Sequence, residues 1–237
     1  MTPAEPLSRL QANIDSVRRR IAAACDRVGR STAEVTLVAV TKYVSADLAA
    51  HLPRLGIHDL GESRPQELWH KAKAIPHARW HLVGHLQRNK VEATLPLACL
   101  IHSVDSERLL VELQRAADKL AITVAILLEI NVSGESAKHG FAPAEVPPLL
   151  PQFPDRFPRL RMQGLMTMAP ISDEPERVRP VFRDLRRLRD EWARQFPALG
   201  PLPHLSMGMT QDFEVAIEEG ATLVRIGSAL FEGLVQP

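Results

Sequence analysis

From Val35 onward the chain alternates short apolar runs, many of them β-branched, with amphipathic helical patterns, which restricts it to a parallel sheet built from βα units. The runs fall at residues 35–41, 57–60, 79–83, 99–103, 123–131, 160–166, 204–207 and 222–226. Eight such units close most simply into a (β/α)8 TIM barrel, a fold of about 250 residues; the chain has 237. Ahead of the first run, Leu7, Leu10, Ile14, Val17, Ile21, Ala24 and Val28 share one helical face. The pattern therefore predicts a single α/β domain over 1–237, with an extra N-terminal helix within residues 1–30 packed on the barrel.

Helical patterns follow Ser45, Ser63, Gln87, Asp105, Pro143, Pro175 and Thr210, several opened by a side chain able to cap free backbone N–H groups. Residues 177–194 are rich in arginine, but Val178, Val181, Phe182, Leu185, Leu188 and Trp192 recur at helical spacing and acidic residues dilute the charge. The segment reads as a helix with a solvated outer face, kinked at Pro180 or starting near it. The prolines between 143 and 158 read as a long βα connection, because strands on both sides continue the alternation.

Lysine and arginine total 29 against 28 acidic residues, and a net charge of +1 sets up no overall field for nucleic acid or an anionic membrane. Cys25 and Cys99 lack metal-type spacing and read as free buried thiols in a reducing compartment. No run of about 18 apolar residues occurs, and the N-terminus lacks a basic stretch followed by an apolar segment. A soluble, cytoplasmic, monomeric protein is expected.

In a barrel of this kind reactive residues gather at the C-terminal ends of the strands, and the polar oddities of this chain fall there. Lys42 ends the first run. An amine at the end of a buried strand either snorkels into solvent or loses its water, lowers its pKa and becomes able to attack a carbonyl. Ser206, Gly227 and Ser228 lie in the loops after strands seven and eight, where barrels commonly bind phosphate. A lysine across the mouth from a phosphate cradle describes a phosphorylated carbonyl ligand, either pyridoxal 5′-phosphate or a sugar phosphate. Arg225 favours the first, since a permanently charged donor facing a pyridine nitrogen keeps it unprotonated and weakens the ring as an electron sink. His77, His81 and His85 have a spacing that shares a face only in a helix, and the segment reads as strand, so His81 or His85 is expected to line the pocket and no metal site is assigned.

The segments Ala39-Val40-Thr41-Lys42, Gly61-Glu62-Ser63, Trp80 to Lys90, His102-Ser103-Val104-Asp105, Glu129 to Glu135, Gly164-Leu165-Met166, Leu205 to Met209 and Val224 to Gly227 carry a resemblance over nearly the whole chain. It resembles the pyridoxal phosphate homeostasis protein family, whose fold is similar to the N-terminal barrel of alanine racemase. The resemblance implies a reversible Schiff base to pyridoxal 5′-phosphate on Lys42, Arg225 against the pyridine nitrogen, and the phosphate held by Ser206 with the backbone of Gly227 and Ser228. It implies a role in vitamin B6 homeostasis with little or no catalytic turnover, and PLP-dependent apoenzymes as recipients. Ser63 stands where the family usually has asparagine, so that loop's contact with the cofactor departs from the pattern. A slow amino-acid racemase and a Schiff-base aldolase acting on a sugar phosphate are the alternative readings.

Overall fold

The structure, a computed structural model, describes residues 4–135 and 139–234. Eight parallel strands run in chain order around a closed barrel: β1 (Thr36–Val40), β2 (Asp59–Glu62), β3 (Arg79–Leu82), β4 (Leu100–Val104), β5 (Val124–Glu129), β6 (Leu160–Met166), β7 (His204–Ser206) and β8 (Leu223–Ile226). β8 returns to pair with β1, setting Ala39 opposite Ile226. Closure leaves no open sheet edge, and inward and outward side chains alternate along each strand.

The outward side chains form the larger core against the helices. These are α1 (Ala4–Arg27), α2 (Ala46–Ala49), α3 (Pro65–Ala74), α4 (Val91–Thr94), α5 (Glu107–Leu120), α6 (Phe153–Arg156), α7 (Arg179–Gln195) and α8 (Phe213–Glu218). α5 buries Leu109, Leu110, Leu113, Ala116 and Ala117, while Leu120, at the same helical spacing, is half-buried. α7 takes Pro180 in its first turn, where a missing N–H costs nothing, so no kink results. Its arginines face carboxylates at the C-terminal end of α8 and just beyond it: Arg179 bonds Glu218 at 2.6 Å and Glu219 at 3.1 Å, and Arg186 lies 3.3 Å from Glu219. α1 packs on α8, with Arg20 bonded to Glu214 at 2.9 Å and Asn13 donating to the Leu230 carbonyl at 3.0 Å.

The inward side chains form two layers. Val38, Leu100, Leu127, Met166 and Leu223 make a small apolar cluster inside the barrel. Two residues further along β4, β5 and β8, on the same face, come His102, Glu129 and Arg225, so a polar layer lies between that cluster and the C-terminal mouth.

β2 differs from its sequence reading, taking in Gly61 and Glu62, which read as loop. Glu62 is fully buried because Lys71 of α3 bonds its carboxylate at 2.5 Å and Thr41 Oγ1 donates to it at 2.7 Å. Cys25 is buried, but Cys99 is exposed rather than buried. Leu100 turns into the barrel, and Cys99, one residue earlier, turns the other way at the open end of the strand. No helix among the described residues is long and apolar enough to cross a membrane.

Candidate functional site

β1 stops at Val40, and Thr41 to Val44 form a turn closed by the Val44 N–H on the Thr41 carbonyl at 2.9 Å. Lys71 Nζ donates to the same carbonyl at 2.7 Å, which ties the turn to α3. Lys42 sits on this turn and is exposed, its Nζ 4.8 Å from the centre of the Tyr43 ring. The expectation of an amine stripped of water is therefore corrected: the strand ends before Lys42, and the side chain reaches solvent. Its place at the mouth is as expected. Val40 lies beside the glycine turn after β8 so closely that a Cβ on Gly227 would stand 3.1 Å from the Val40 carbonyl oxygen.

The β7 and β8 ends form one rim. Asp212 Oδ1 accepts from the Met209 N–H at 2.6 Å, and the Arg225 N–H donates to the Gly208 carbonyl at 3.0 Å. Gly208 has φ +91°, and a Cβ there would fall 2.6 Å from that of Ala216, so only glycine fits. Ser228 Oγ donates to Thr210 Oγ1 at 3.0 Å, which joins the two loops and adds a hydroxyl to this rim.

Ser206 lies below this rim, fully buried. Arg225 Nη1 donates to its Oγ at 2.6 Å, while Nη2 donates to the Thr167 carbonyl at 3.0 Å. Ser206 Oγ is 2.7 Å from His102 Nδ1, His102 Nε2 is 2.9 Å from His81 Nδ1, and His81 Nε2 is 3.0 Å from Asp59 Oδ1. The two ends set the direction of this chain, since a guanidinium only donates and a carboxylate only accepts. Arg225 thus donates to Ser206 and His81 to Asp59, and one continuous direction links them, Ser206 giving to His102 and His102 to His81.

Burial above all, with the nearby Arg225 guanidinium adding to it, drives His102 well below the usual histidine range and keeps it neutral. Burial would raise Asp59, but bonds from His81 and Arg79 outweigh it and hold the carboxyl at about 2. Burial also brings Arg225 down to about 10, against the opposing pull of Glu129 and Asp212, which leaves it cationic at neutral pH. Glu129, at the mouth end of β5, is pushed up to about 7 by burial and then by Asp105.

His81 therefore belongs to the barrel interior, whereas His85 stands on the rim with its Nδ1 2.9 Å from Asp105. His85 borders two clefts: one of about 310 Å³ with Arg88, Asp105 and Arg108, and one of about 620 Å³ with Ser63, Arg64 and Lys90. They open over the loops after β2, β3 and β4, while Lys42, Arg225, Gly227 and Ser228 occupy the β8–β1 side. Glu62 and His102 entered the sequence reading only as members of motifs, without partners, and Lys71 escaped it. A lone charged or imidazole side chain in a strand signals a buried partner without saying which.

An eight-stranded parallel barrel with a lysine just beyond β1, an arginine inside β8 and a glycine–serine turn after it defines a class of cofactor-binding barrels. Residues 7–234 match the family described as alanine racemase, N-terminal domain. The pyridoxal phosphate homeostasis protein of Aquifex aeolicus is 42% identical over 233 residues, covering 98% of each chain. The structure of PipY from Synechococcus elongatus with PLP bound superposes with a TM-score of 0.80 at 30% identity, covering 94% of this chain and 99% of that one. Alanine racemase of Clostridium difficile shares the fold, with a TM-score of 0.72 at 14% identity over 95% of this chain and 56% of the racemase. The chain belongs to the pyridoxal phosphate homeostasis protein family, on the alanine racemase N-terminal barrel.

Proposed function

We propose that the protein binds pyridoxal 5′-phosphate reversibly through Lys42 and serves to keep the supply of that cofactor in balance. The observation that carries this reading is the meeting, on one side of the mouth, of the β1 turn bearing Lys42 with the Gly227-Ser228 turn and the fixed Arg225. The cofactor supplies an aldehyde that an amine takes up covalently and releases again, together with a phosphate dianion. Lys42, exposed on its turn, is free to meet a ligand arriving from solvent. Ser228 and Thr210 offer paired hydroxyls to the phosphate, and Gly227 has no side chain to obstruct it. Ser206 acts one step back in this reading: both sides of its hydroxyl are engaged, and it holds Arg225 in place instead of touching the phosphate.

Arg225 has N–H groups left after serving Ser206 and Thr167, and it presents a donor-only charge to a pyridine nitrogen. Such a partner keeps the ring nitrogen unprotonated, which disfavours turnover at Cα of an amino acid. The reading is accordingly a carrier with little or no catalysis, monomeric and cytoplasmic, passing its ligand to apoenzymes. Slow amino-acid racemisation is the second reading, favoured by Glu129, whose carboxyl can take or give a proton near pH 7 at the mouth.

The test is a visible spectrum of the purified protein with added cofactor. A yellow band, bleached by borohydride with the added mass on Lys42 and absent from Lys42→Ala, is expected; a colourless wild type with excess cofactor refutes the reading. Deuterium exchange at Cα of an amino-acid panel separates carrier from racemase: the carrier gives no more exchange than free cofactor.

A further inference from the structure

Across the mouth from Lys42 and Arg225, three side chains from three loops converge. His85 follows β3, Asp105 follows β4 and His139 lies beyond β5; offering one donor atom each, they bring those atoms within 4.8 Å of one another. Asp105 Oδ2 is 2.9 Å from His85 Nδ1 and 3.8 Å from His139 Nδ1. The two imidazoles stack with centroids 4.9 Å apart and planes 22° from parallel.

We propose that His85, Asp105 and His139 form a binding site for a divalent transition-metal ion, with Zn²⁺ the ion the donor set fits best. Two imidazole nitrogens and one carboxylate oxygen suit a borderline cation, whereas Ca²⁺ and Mg²⁺ call for oxygen throughout. With metal–ligand bonds of about 2.1 Å, separations of 2.9 and 3.8 Å subtend about 90° and about 130° at the ion, on either side of the tetrahedral angle. His139 is 64% exposed, so its ring can turn to close the remaining gap without disturbing the core.

Asp105 is the fixed member, its side chain 8% exposed. Ser106 Oγ donates to its Oδ1 at 3.0 Å, which leaves Oδ2 directed at the imidazoles. That is the outer support a metal-binding carboxylate needs. Asp105 Oδ2 thus faces two imidazole nitrogens, and because the rings lie only 22° from parallel it is a rotation of the exposed His139 ring that brings both lone pairs onto one ion. The cleft of about 310 Å³ borders His85 and Asp105, so coordination positions not filled by protein open to solvent or to a small anion. The proposal does not depend on the cofactor reading.

The test uses the full chain without a histidine tag, freed of metal by a chelator, with Zn²⁺ in equilibrium dialysis and Co²⁺ as a spectroscopic probe. One equivalent of Zn²⁺ per chain is expected, and Co²⁺ gives visible ligand-field bands that Zn²⁺ displaces. His139→Ala and Asp105→Asn each weaken binding about tenfold or more, and Ser106→Ala weakens it less. His139→Ala leaves the visible band with pyridoxal 5′-phosphate unchanged, which shows that the variant is folded. Absence of saturable binding in the wild type overturns the proposal, and so does binding that survives in both His139→Ala and Asp105→Asn.

Discussion

Ser206→Ala separates two roles for the same hydroxyl. In the structure Ser206 accepts from Arg225 at 2.6 Å and donates to His102 at 2.7 Å, with Ser206 and His102 both fully buried. Alanine removes an acceptor from a buried charged donor, a bond worth about 1.5–3 kcal/mol, and a neutral bond worth about 1 kcal/mol. Arg225 keeps its bond to Thr167 and His102 keeps its bond to His81, so the net loss is about 2–3 kcal/mol. For a domain of this size each kcal/mol lowers the melting temperature by about 2–4 °C, so the variant melts roughly 4–12 °C below the wild type. The measurement is calorimetry together with urea unfolding, both on the cofactor-free chain. If Ser206 instead served only to hold a phosphate, the cofactor-free variant would be as stable as the wild type and only ligand affinity would fall. Wild-type stability of the free chain refutes the relay from Arg225 to Asp59.

Lys71→Met strands the buried Glu62 carboxylate and the Thr41 carbonyl, and is expected to cost about 3–5 kcal/mol in urea unfolding. The double variant Lys71→Met with Glu62→Leu should recover much of that loss, because no charge is then left buried alone. Between pH 4.5 and about 7 the native state holds a proton on Glu129 that the unfolded chain has released. Stability therefore falls as pH rises through that window, by about 3 kcal/mol at most. Glu129→Gln should flatten that slope in unfolding curves taken across the window, and an unchanged slope would count against the shift. Gly208→Ala forces a Cβ into contact with Ala216 at a positive φ, so about 2–4 kcal/mol of stability and most of the affinity for a phosphate-bearing ligand should go together.

The barrel was legible because its signal is local. Alternation of apolar runs with helical periodicity sets the unit, and β6 falls on the residues its pattern marks, 160–166. The mouth was legible too: Lys42, Arg225, Gly227 and Ser228 lie at strand ends or next to them, and a parallel barrel gathers all such ends on one face. What each residue does there was less so. Lys42 reads as the last residue of a buried strand, yet one residue less of β1 leaves it in solvent. Ser206 ends β7, and its hydroxyl lies between Arg225 and His102, partners that no local pattern names.

The chain by itself determined the number of βα units, their order, the placing of a lysine and a glycine–serine turn at one end, and through its motifs the family. Only closure of the sheet decided which polar groups meet. Asp59, His81, His102, Ser206 and Arg225 come from five stretches of chain up to more than a hundred residues apart, as Ser206 is from His102. Periodicity reports which way a side chain faces, but a hydrogen bond depends on a partner within about 3 Å, and strand pairing and stagger alone bring those partners into reach.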